Sequence, residues 1–113
     1  MKSKILALSK NEEFKNLLKQ KKISNKYVTI FFGSLDNKDI KKLNISFVTK
    51  KKLGNAVKRN KIKRRLRNIM NQIAKFSEIN LNYCYLVIAK KTIINAKFID
   101  IKDILIKDYK KIK

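Results

Sequence analysis

A long stretch without any acidic side chain occupies the middle of this chain, and it restricts the available folds more than any other feature. No Asp or Glu occurs between Asp39 and Glu78, whereas seven of the ten residues from Lys58 to Arg67 are basic. The formal net charge is +22 at pH 7, so the folded chain must carry strong self-repulsion unless a polyanion neutralises it. We therefore expect a nucleic-acid partner.

The apolar content indicates a folded chain. Hydrophobic residues make up 44% of the 113 residues, which is far more than a basic disordered tail needs. This length suits one compact domain, so we expect a single domain over residues 1–113. The longest uncharged apolar runs are far too short to span a bilayer, and a membrane-surface role would not require a globular core. We expect a cytoplasmic protein that binds no membrane.

Reactive side chains are scarce. Cys84 is the only cysteine and there is no histidine, which excludes a disulfide framework, a zinc finger and any His-based catalysis. Cys84 lies in an apolar run, where a small core residue is expected rather than a reactive thiol. The eight carboxylates are scattered, so we expect no catalytic residue and no metal bound by the protein itself.

Residue patterns predict an α+β fold with the order α-β-β-α-β-α. Ser9 and Glu12 have capping-box spacing before Phe14, Leu17 and Leu18, which predicts a helix near residues 10–20. Runs rich in β-branched and aromatic residues predict strands at 26–33, 43–49 and 84–89, with a polar loop at 36–42. Apolar residues at helical spacing predict helices at 55–76 and from 98 to 112.

The central helix is basic on all sides but one. Ile62, Leu66, Ile69 and Ile73 recur at spacings of four, three and four, and this stripe should pack on the sheet. Like charges four residues apart, such as those of Lys61 and Arg65, cost a few tenths of a kcal/mol each in an isolated helix. A solvated face is the usual reading of a charge run, but such faces contain acidic residues and this one has none. The helix is therefore expected to bind anions.

The arginines are concentrated on this helix. The chain has 26 lysines and only four arginines, and all of the arginines fall between Arg59 and Arg67. A guanidinium group grips phosphate through two parallel hydrogen bonds and can stack on bases, whereas an ammonium group can do neither. Just upstream, Lys50, Lys51 and Lys52 precede a glycine turn at Gly54 and the predicted helix N-terminus, where free backbone N–H groups could bind a phosphate.

Residues 51–67 read Lys-Lys-Leu-Gly-Asn-Ala-Val-Lys-Arg-Asn-Lys-Ile-Lys-Arg-Arg-Leu-Arg. This segment closely resembles the signature of the bacterial ribonuclease P protein family. Lys61 stands where the family has the second arginine of Arg-Asn-Arg, which keeps the charge but loses the bidentate fork. Residues 11–14, 25–32 and the C-terminal helix also resemble the family, so the likeness extends along most of the chain.

The resemblance implies an α-β sandwich with a left-handed β-α-β crossover around the basic helix. It also implies a protein subunit of an endoribonuclease that matures tRNA 5′ ends. The subunit would bind the catalytic RNA, and that RNA would use Mg²⁺ to cleave the phosphodiester and remove the 5′ leader of precursor tRNA. By this resemblance the residues that meet the RNA subunit are Asn55, Lys58, Arg59, Asn60, Lys61, Lys63, Arg64, Arg65 and Arg67.

The same resemblance implies a second surface that contacts the precursor tRNA leader, in a cleft between the first helix and the sheet. Phe14 and Phe31 occupy positions like those of the family's leader-contacting aromatics, and Leu18 stands where many relatives carry another aromatic. Lys50, Lys51 and Lys52 complete this predicted surface. From burial statistics alone, Phe14 and Phe31 would instead be core residues.

Three alternatives remain open from the residues themselves. A small ribosomal protein, or another basic RNA-binding protein without a nuclease partner, would share the charge and the size. A DNA-binding regulator would place the helix at 58–67 in the major groove, but it usually needs a preceding helix, whereas a strand is predicted there. An enzyme acting through its own side chains would need groups that this chain lacks.

Overall fold

The computed structural model describes residues 5–6, 18–33, 43–76 and 83–112. Five strands are present in these ranges: β1 (Ile5–Leu6), β2 (Lys21–Ser24), β3 (Val28–Gly33), β4 (Leu43–Val48) and β5 (Cys84–Ala89). Two α-helices accompany them, α1 (Ala56–Phe76) and α2 (Phe98–Lys111). A 3-10 turn at Lys51–Leu53 precedes α1, and a 3-10 helix at Lys91–Asn95 precedes α2.

The strands form one mixed sheet in the order β1-β4-β5-β3-β2. β3 pairs antiparallel with both β2 and β5, whereas β4 pairs parallel with β5 and with β1. Because neighbouring parallel strands need a crossover connection, α1 links β4 to β5 as a β-α-β unit. The α+β class and this unit are confirmed, and the left-handed sense of the crossover stays a prediction from the family resemblance.

The main core lies between one face of the sheet and the two helices. The sheet contributes buried residues such as Val28, Ile30, Ile45, Tyr85 and Val87. On α1 the predicted stripe of Ile62, Leu66, Ile69 and Ile73 is at most 8% exposed, and on α2 Ile101, Leu105 and Tyr109 are buried. Full burial of a large aliphatic side chain stabilises a fold by about 1.5–3 kcal/mol, so the stripe alone is a major stabilising contact of α1.

The order α-β-β-α-β-α predicted from sequence omits β1 and β2. β1 is two residues long and exists through its parallel pairing with β4, which no local pattern reveals. β2 has mostly exposed residues, Lys21, Lys22 and Ser24, and becomes a strand because its backbone pairs with β3 at the sheet edge. Of the predicted first helix at residues 10–20, only Leu18 is both described and helical, and the predicted loop at 36–42 lies outside the described residues.

Asn25 explains why β3 begins at Val28 and not at the predicted residue 26. Its Oδ1 accepts hydrogen bonds from the backbone N–H groups of Tyr27 (2.8 Å) and Val28 (2.9 Å), which folds residues 25–27 into a turn. Its Nδ2 donates to Oδ2 of Asp108 on α2 at 2.7 Å, and Asp108 is only 6% exposed. The hairpin between β2 and β3 is thereby tied to the last helix.

Lys90, which directly follows β5, is hydrogen-bonded to the same turn between β2 and β3. Its Nζ donates to Oγ of Ser24 and to the backbone oxygen of Asn25, both at 2.6 Å. Thr92 donates its hydroxyl hydrogen bond to the backbone oxygen of Lys26. These hydrogen bonds join the turn between β2 and β3 to residues that lie 65 to 83 positions further along the chain.

Cys84, Tyr85 and Tyr109 are three buried side chains that carry ionisable groups. Cys84 is 1% exposed, which confirms its predicted place in the core. Tyr85 and Tyr109 pack edge to face with ring centroids 5.3 Å apart. Burial raises the pKa of both phenols above the ordinary value, so both stay protonated at neutral pH.

Candidate nucleic-acid interface

The basic residues of α1 divide between two flanks of the helix. At about 100° per residue, the stripe that starts with Ile62 marks the buried side. One flank, on the side of the 3-10 turn, carries Lys58, Lys61 and Arg65, whereas the opposite flank carries Arg59, Lys63 and Arg67. Asn60 and Arg64 lie on the outer side, away from the sheet. The helix therefore presents positive charge over every direction except the one that packs on the core.

Solvent exposure varies within each flank. Exposed side chains of the predicted RNA-subunit set are Asn55, Lys58, Asn60, Lys61, Arg64 and Arg67, and the partly buried ones are Arg59, Lys63 and Arg65. A partly buried arginine keeps its stem against the protein while its guanidinium group remains available to solvent. Nε of Arg59 is buried and has no hydrogen-bond partner within the described ranges. The structure thus places the whole predicted set on one helix and its N-cap.

Asn55 is the N-cap of α1. Its Oδ1 accepts a hydrogen bond from the backbone N–H of Lys58 at 3.0 Å, and its backbone oxygen accepts the first helical bond, from the N–H of Arg59, also at 3.0 Å. This is the usual geometry by which Asn satisfies a free N–H at a helix start. One of the N–H groups predicted to bind phosphate is therefore already bonded, and Asn55 has a structural role in addition to the predicted RNA contact.

Gly54 adopts a backbone conformation that other residues rarely reach. Its φ is 129° and its ψ is −168°, a region populated almost only by glycine. A Cβ at this position would also lie 2.9 Å from Cδ of Lys58, whose side chain folds back over the turn. The sequence indicated a glycine turn here, and the structure shows why glycine is needed.

Replacing Gly54 with alanine is expected to destabilise the protein by about 1–3 kcal/mol, because the strained φ persists whatever the neighbouring side chains do. Urea unfolding followed by circular dichroism measures the change. Adding Lys58→Ala removes the 2.9 Å contact with Cδ but leaves Cβ of residue 58 at 3.2 Å and the backbone strain in place, so the double variant should recover only a minor part of the loss. Full recovery would show that the contact with Lys58, and not the backbone, requires glycine.

Three exposed lysines, Lys50, Lys51 and Lys52, lie a few residues before the start of α1. Lys50 is extended and immediately precedes the 3-10 turn, to which Lys51 and Lys52 belong. Leu53, at the end of the turn, is 1% exposed and anchors it to the core. The three lysines therefore project from a fixed turn that continues the positive surface of α1 beyond its N-terminus. A strand and a 3-10 turn precede the basic helix. The preceding helix that a helix-turn-helix DNA-binding protein would need is therefore not found at this position.

The predicted leader surface is described only in part. Phe31 lies on the sheet face opposite the two helices, where it is half-buried and packs with Val48 and Ile88 around the buried Cys84 and Leu86. Leu18 is 48% exposed, and Phe14 lies outside the described residues. The leader assignment of these residues stays a prediction.

Lys22 is a basic residue near Phe31 that the sequence pattern did not single out. Cross-strand pairing of β2 with β3 places Lys22 directly opposite Phe31, so both side chains lie on the same sheet face. Lys22 is exposed, and its position depends on a strand, β2, that lacks a clear strand pattern. No local signal could have located it, because the neighbourhood arises from pairing.

The described part of the chain lacks both metal-binding clusters and membrane-spanning helices. It holds no group of three or more His, Cys, Asp or Glu side chains that could bind a metal ion. None of the helices in these ranges is long and apolar enough to cross a bilayer. What the arrangement can do is electrostatic, since an exposed cationic helix beside three exposed lysines attracts and positions a polyanion.

Comparisons with known proteins agree on one family. A family model described as Ribonuclease P matches residues 3–113. The ribonuclease P protein component of Mycoplasma capricolum is 32% identical over 107 residues, covering 94% of each chain. That of Carboxydothermus hydrogenoformans is 33% identical over 93 residues, covering 80% of this chain and 77% of the relative.

Solved structures support the same fold. The RNase P protein from Thermotoga maritima superposes with a TM-score of 0.80 at 23% identity, covering 96% of this chain and 98% of that one. The Staphylococcus aureus RNase P protein superposes with a TM-score of 0.76 at 28% identity, covering 94% and 93%. Because the Thermotoga maritima protein is only 23% identical, its likeness supports the fold alone. The Staphylococcus aureus protein is similar in sequence as well as in fold.

Proposed function

This chain belongs to the ribonuclease P protein family, and on that premise we propose that it binds the catalytic RNA subunit of ribonuclease P through α1. The observation that carries the proposal is the acid-free cationic surface formed by α1 and the 3-10 turn before it. A surface of this kind is matched to the phosphate backbone of folded RNA, with which it gains affinity by releasing counterions. The RNA-facing set is the one predicted from sequence, from Asn55 to Arg67.

The phosphodiester is cleaved by the RNA subunit with its Mg²⁺, and the protein contributes charge and position. The protein has no histidine. Two tyrosines in the core, Tyr85 and Tyr109, stay protonated. By neutralising phosphates, the cationic surface lets the catalytic RNA and the precursor tRNA approach each other at lower Mg²⁺ concentration. The whole chain acts as one RNA-binding domain in the cytoplasm and has no DNA or membrane partner.

The 5′ leader of precursor tRNA lies on the sheet face that carries Phe31. A half-buried ring there can stack on a single-stranded base, which contributes about 1–3 kcal/mol with little dependence on base identity. Leu18 and the lysines at 50–52 extend this path, and Phe14 is assigned to the same leader surface by its resemblance to the family's leader-contacting aromatics. Such a surface suits a leader whose sequence varies.

Reconstitution with the cognate RNA subunit tests the proposal. At low Mg²⁺ the protein is expected to raise the rate of 5′ leader removal by at least about tenfold, since a gain of 1.4 kcal/mol in transition-state stabilisation already has this effect. The complex should also bind a precursor with a leader more tightly than mature tRNA. Single-turnover cleavage and equilibrium binding, each over a range of Mg²⁺ concentrations, are the measurements.

Two outcomes would contradict the proposal. In the first, the protein fails to stimulate the cognate RNA and also binds duplex DNA as tightly as it binds that RNA. This result would show that it binds nucleic acids only nonspecifically, through its positive charge. Equal affinity for precursor and mature tRNA would remove the leader contact and return Phe31 to a core role. A ribosomal protein would show neither stimulation nor leader dependence.

A further inference from the structure

A small pocket opens where the start of α1 meets the two 3-10 segments, which contact each other. Its volume is about 180 Å³. The lining has two chemically different parts: an apolar floor of Leu53, Ile62 and Ile94, and a cationic rim of Lys58, Lys61 and Arg65. The floor includes Ile94 from the 3-10 helix at 91–95, a segment with no role in the cationic surface described above.

The rim and the floor are both held by rigid elements. The three cations follow one another at spacings of three and four, so they share one flank of α1. In the floor Leu53 is 1% exposed and Ile62 is 8% exposed, whereas Ile94 is half-buried. Lys58 folds over Gly54, which fixes the stem of one rim residue against the turn. The pocket therefore exists before any ligand binds.

The size of the pocket limits what can enter. Sites for drug-sized ligands span about 300–1,000 Å³, so a whole nucleotide does not fit inside this one. An apolar cavity of about 150 Å³ is large enough to take a benzene ring, so a single planar ring does fit. An apolar floor beneath three cations favours a ligand that combines a flat, weakly polar ring with an adjacent anion.

We propose that this pocket receives one unstacked nucleobase of the bound RNA, with the adjoining phosphate held by the rim. The inference rests on the proposed function, because RNA is the ligand that carries both chemical parts in fixed order. A simple phosphate site would need the cations but not the apolar floor. The pocket would add a contact that depends on an unpaired nucleotide and would fix the register of α1 on the RNA.

Methyl NMR of the full-length protein tests the pocket directly, with uridine 5′-monophosphate as the probe and ribose 5-phosphate and inorganic phosphate as controls. Uridine 5′-monophosphate should shift the methyl signals of Ile62 and Ile94 and bind about tenfold tighter than ribose 5-phosphate, because only the nucleotide buries a ring on the floor. Equal affinities with unmoved methyl signals would overturn the proposal and leave a phosphate site. This titration needs no variant, so it does not depend on how substitutions fold.

Filling the pocket provides the second test. Ile94→Trp should abolish the shift of the remaining Ile62 methyl signals and weaken binding to the catalytic RNA about tenfold. The dependence of affinity on salt should keep its slope, because the three cations of the rim remain in place. Ile99→Trp is the matched control, since Ile99 is 60% exposed on α2 and does not line the pocket. Unchanged RNA affinity in the Ile94 variant, with a folded methyl spectrum, would refute the pocket.

The proposed RNA partner and the proposed nucleobase pocket can be refuted separately. Nucleotide binding in the pocket without stimulation of the ribonuclease P RNA would refute the proposed partner and retain the base pocket. Stimulation of the RNA without any response of Ile62 and Ile94 to the nucleotide would refute the pocket and retain the partner.

Discussion

Replacing Arg64 and Arg67 together with alanine will weaken binding to the catalytic RNA by about 100-fold, if each guanidinium group contributes about 1.4 kcal/mol through charge-assisted hydrogen bonds to phosphate. Both side chains are exposed on α1, and neither is part of the stripe that packs on the sheet. The folded state should therefore be unaffected. Removing two like charges from a crowded helix also relieves repulsion, so circular dichroism should show an intact helix.

The salt dependence of the affinity identifies the mechanism. A logarithmic plot of affinity against salt concentration should lose about 0.7–0.9 of slope for each phosphate contact removed. Replacing Lys107 and Lys110, exposed on α2, with alanine removes the same net charge from a different helix and is the matched control. An equal loss of affinity in both double variants would mean that total charge, and not the surface of α1, binds the RNA.

Replacing Asn25 with alanine is expected to lower the free energy of unfolding by about 2–4 kcal/mol, because three hydrogen bonds disappear and a buried carboxylate loses a partner. The lost bonds are those to the backbone N–H groups of Tyr27 and Val28 and to Oδ2 of Asp108. Asp108 would keep Lys111, whose Nζ lies 3.9 Å from Oδ1 and whose side chain is 71% exposed, so that contact is weak.

Thermal unfolding measures the effect of Asn25→Ala, and a decrease in Tm of roughly 10–20 °C is expected for a domain of this size. Asn68→Ala is the matched control, because Asn68 is exposed within α1 and alanine is the better helix former there. Asn25→Asp retains the acceptors for the turn but places a carboxylate against Asp108, so it should also be destabilised at neutral pH. Equal stability of the Asn25→Ala and Asn68→Ala variants would show that the turn forms without the side chain.

The main helices and most of the sheet could be predicted from the sequence because their signals are local. The stripe that begins at Ile62 repeats at helical spacing, and burial of that stripe is what a helix on a sheet requires. The strand at Cys84–Ala89 is a short apolar run, as expected for a strand covered on both faces, and its bounds are confirmed. The basic set of α1 could be predicted for the same reason, since charges on one helix keep their spacing in the fold.

Other parts of the molecule depend on residues that are distant in sequence. β2 is a strand because it pairs with β3, and the position of Lys22 opposite Phe31, on the same sheet face, follows only from that pairing. Asn25 meets Asp108 across 83 residues of chain, which no local pattern encodes. Leu53 and Ile94 share a pocket because the two 3-10 segments that carry them are brought together by the core.

The amino-acid sequence by itself was enough to predict a basic amphipathic helix and a polyanionic partner, because charge and periodicity are properties of neighbouring residues. Only the tertiary structure decided which cations share a flank, where the sheet ends, and where an apolar floor lies beneath a cationic rim. Long-range pairing and packing bring those groups together, and their free energy depends on the folded arrangement of the whole chain.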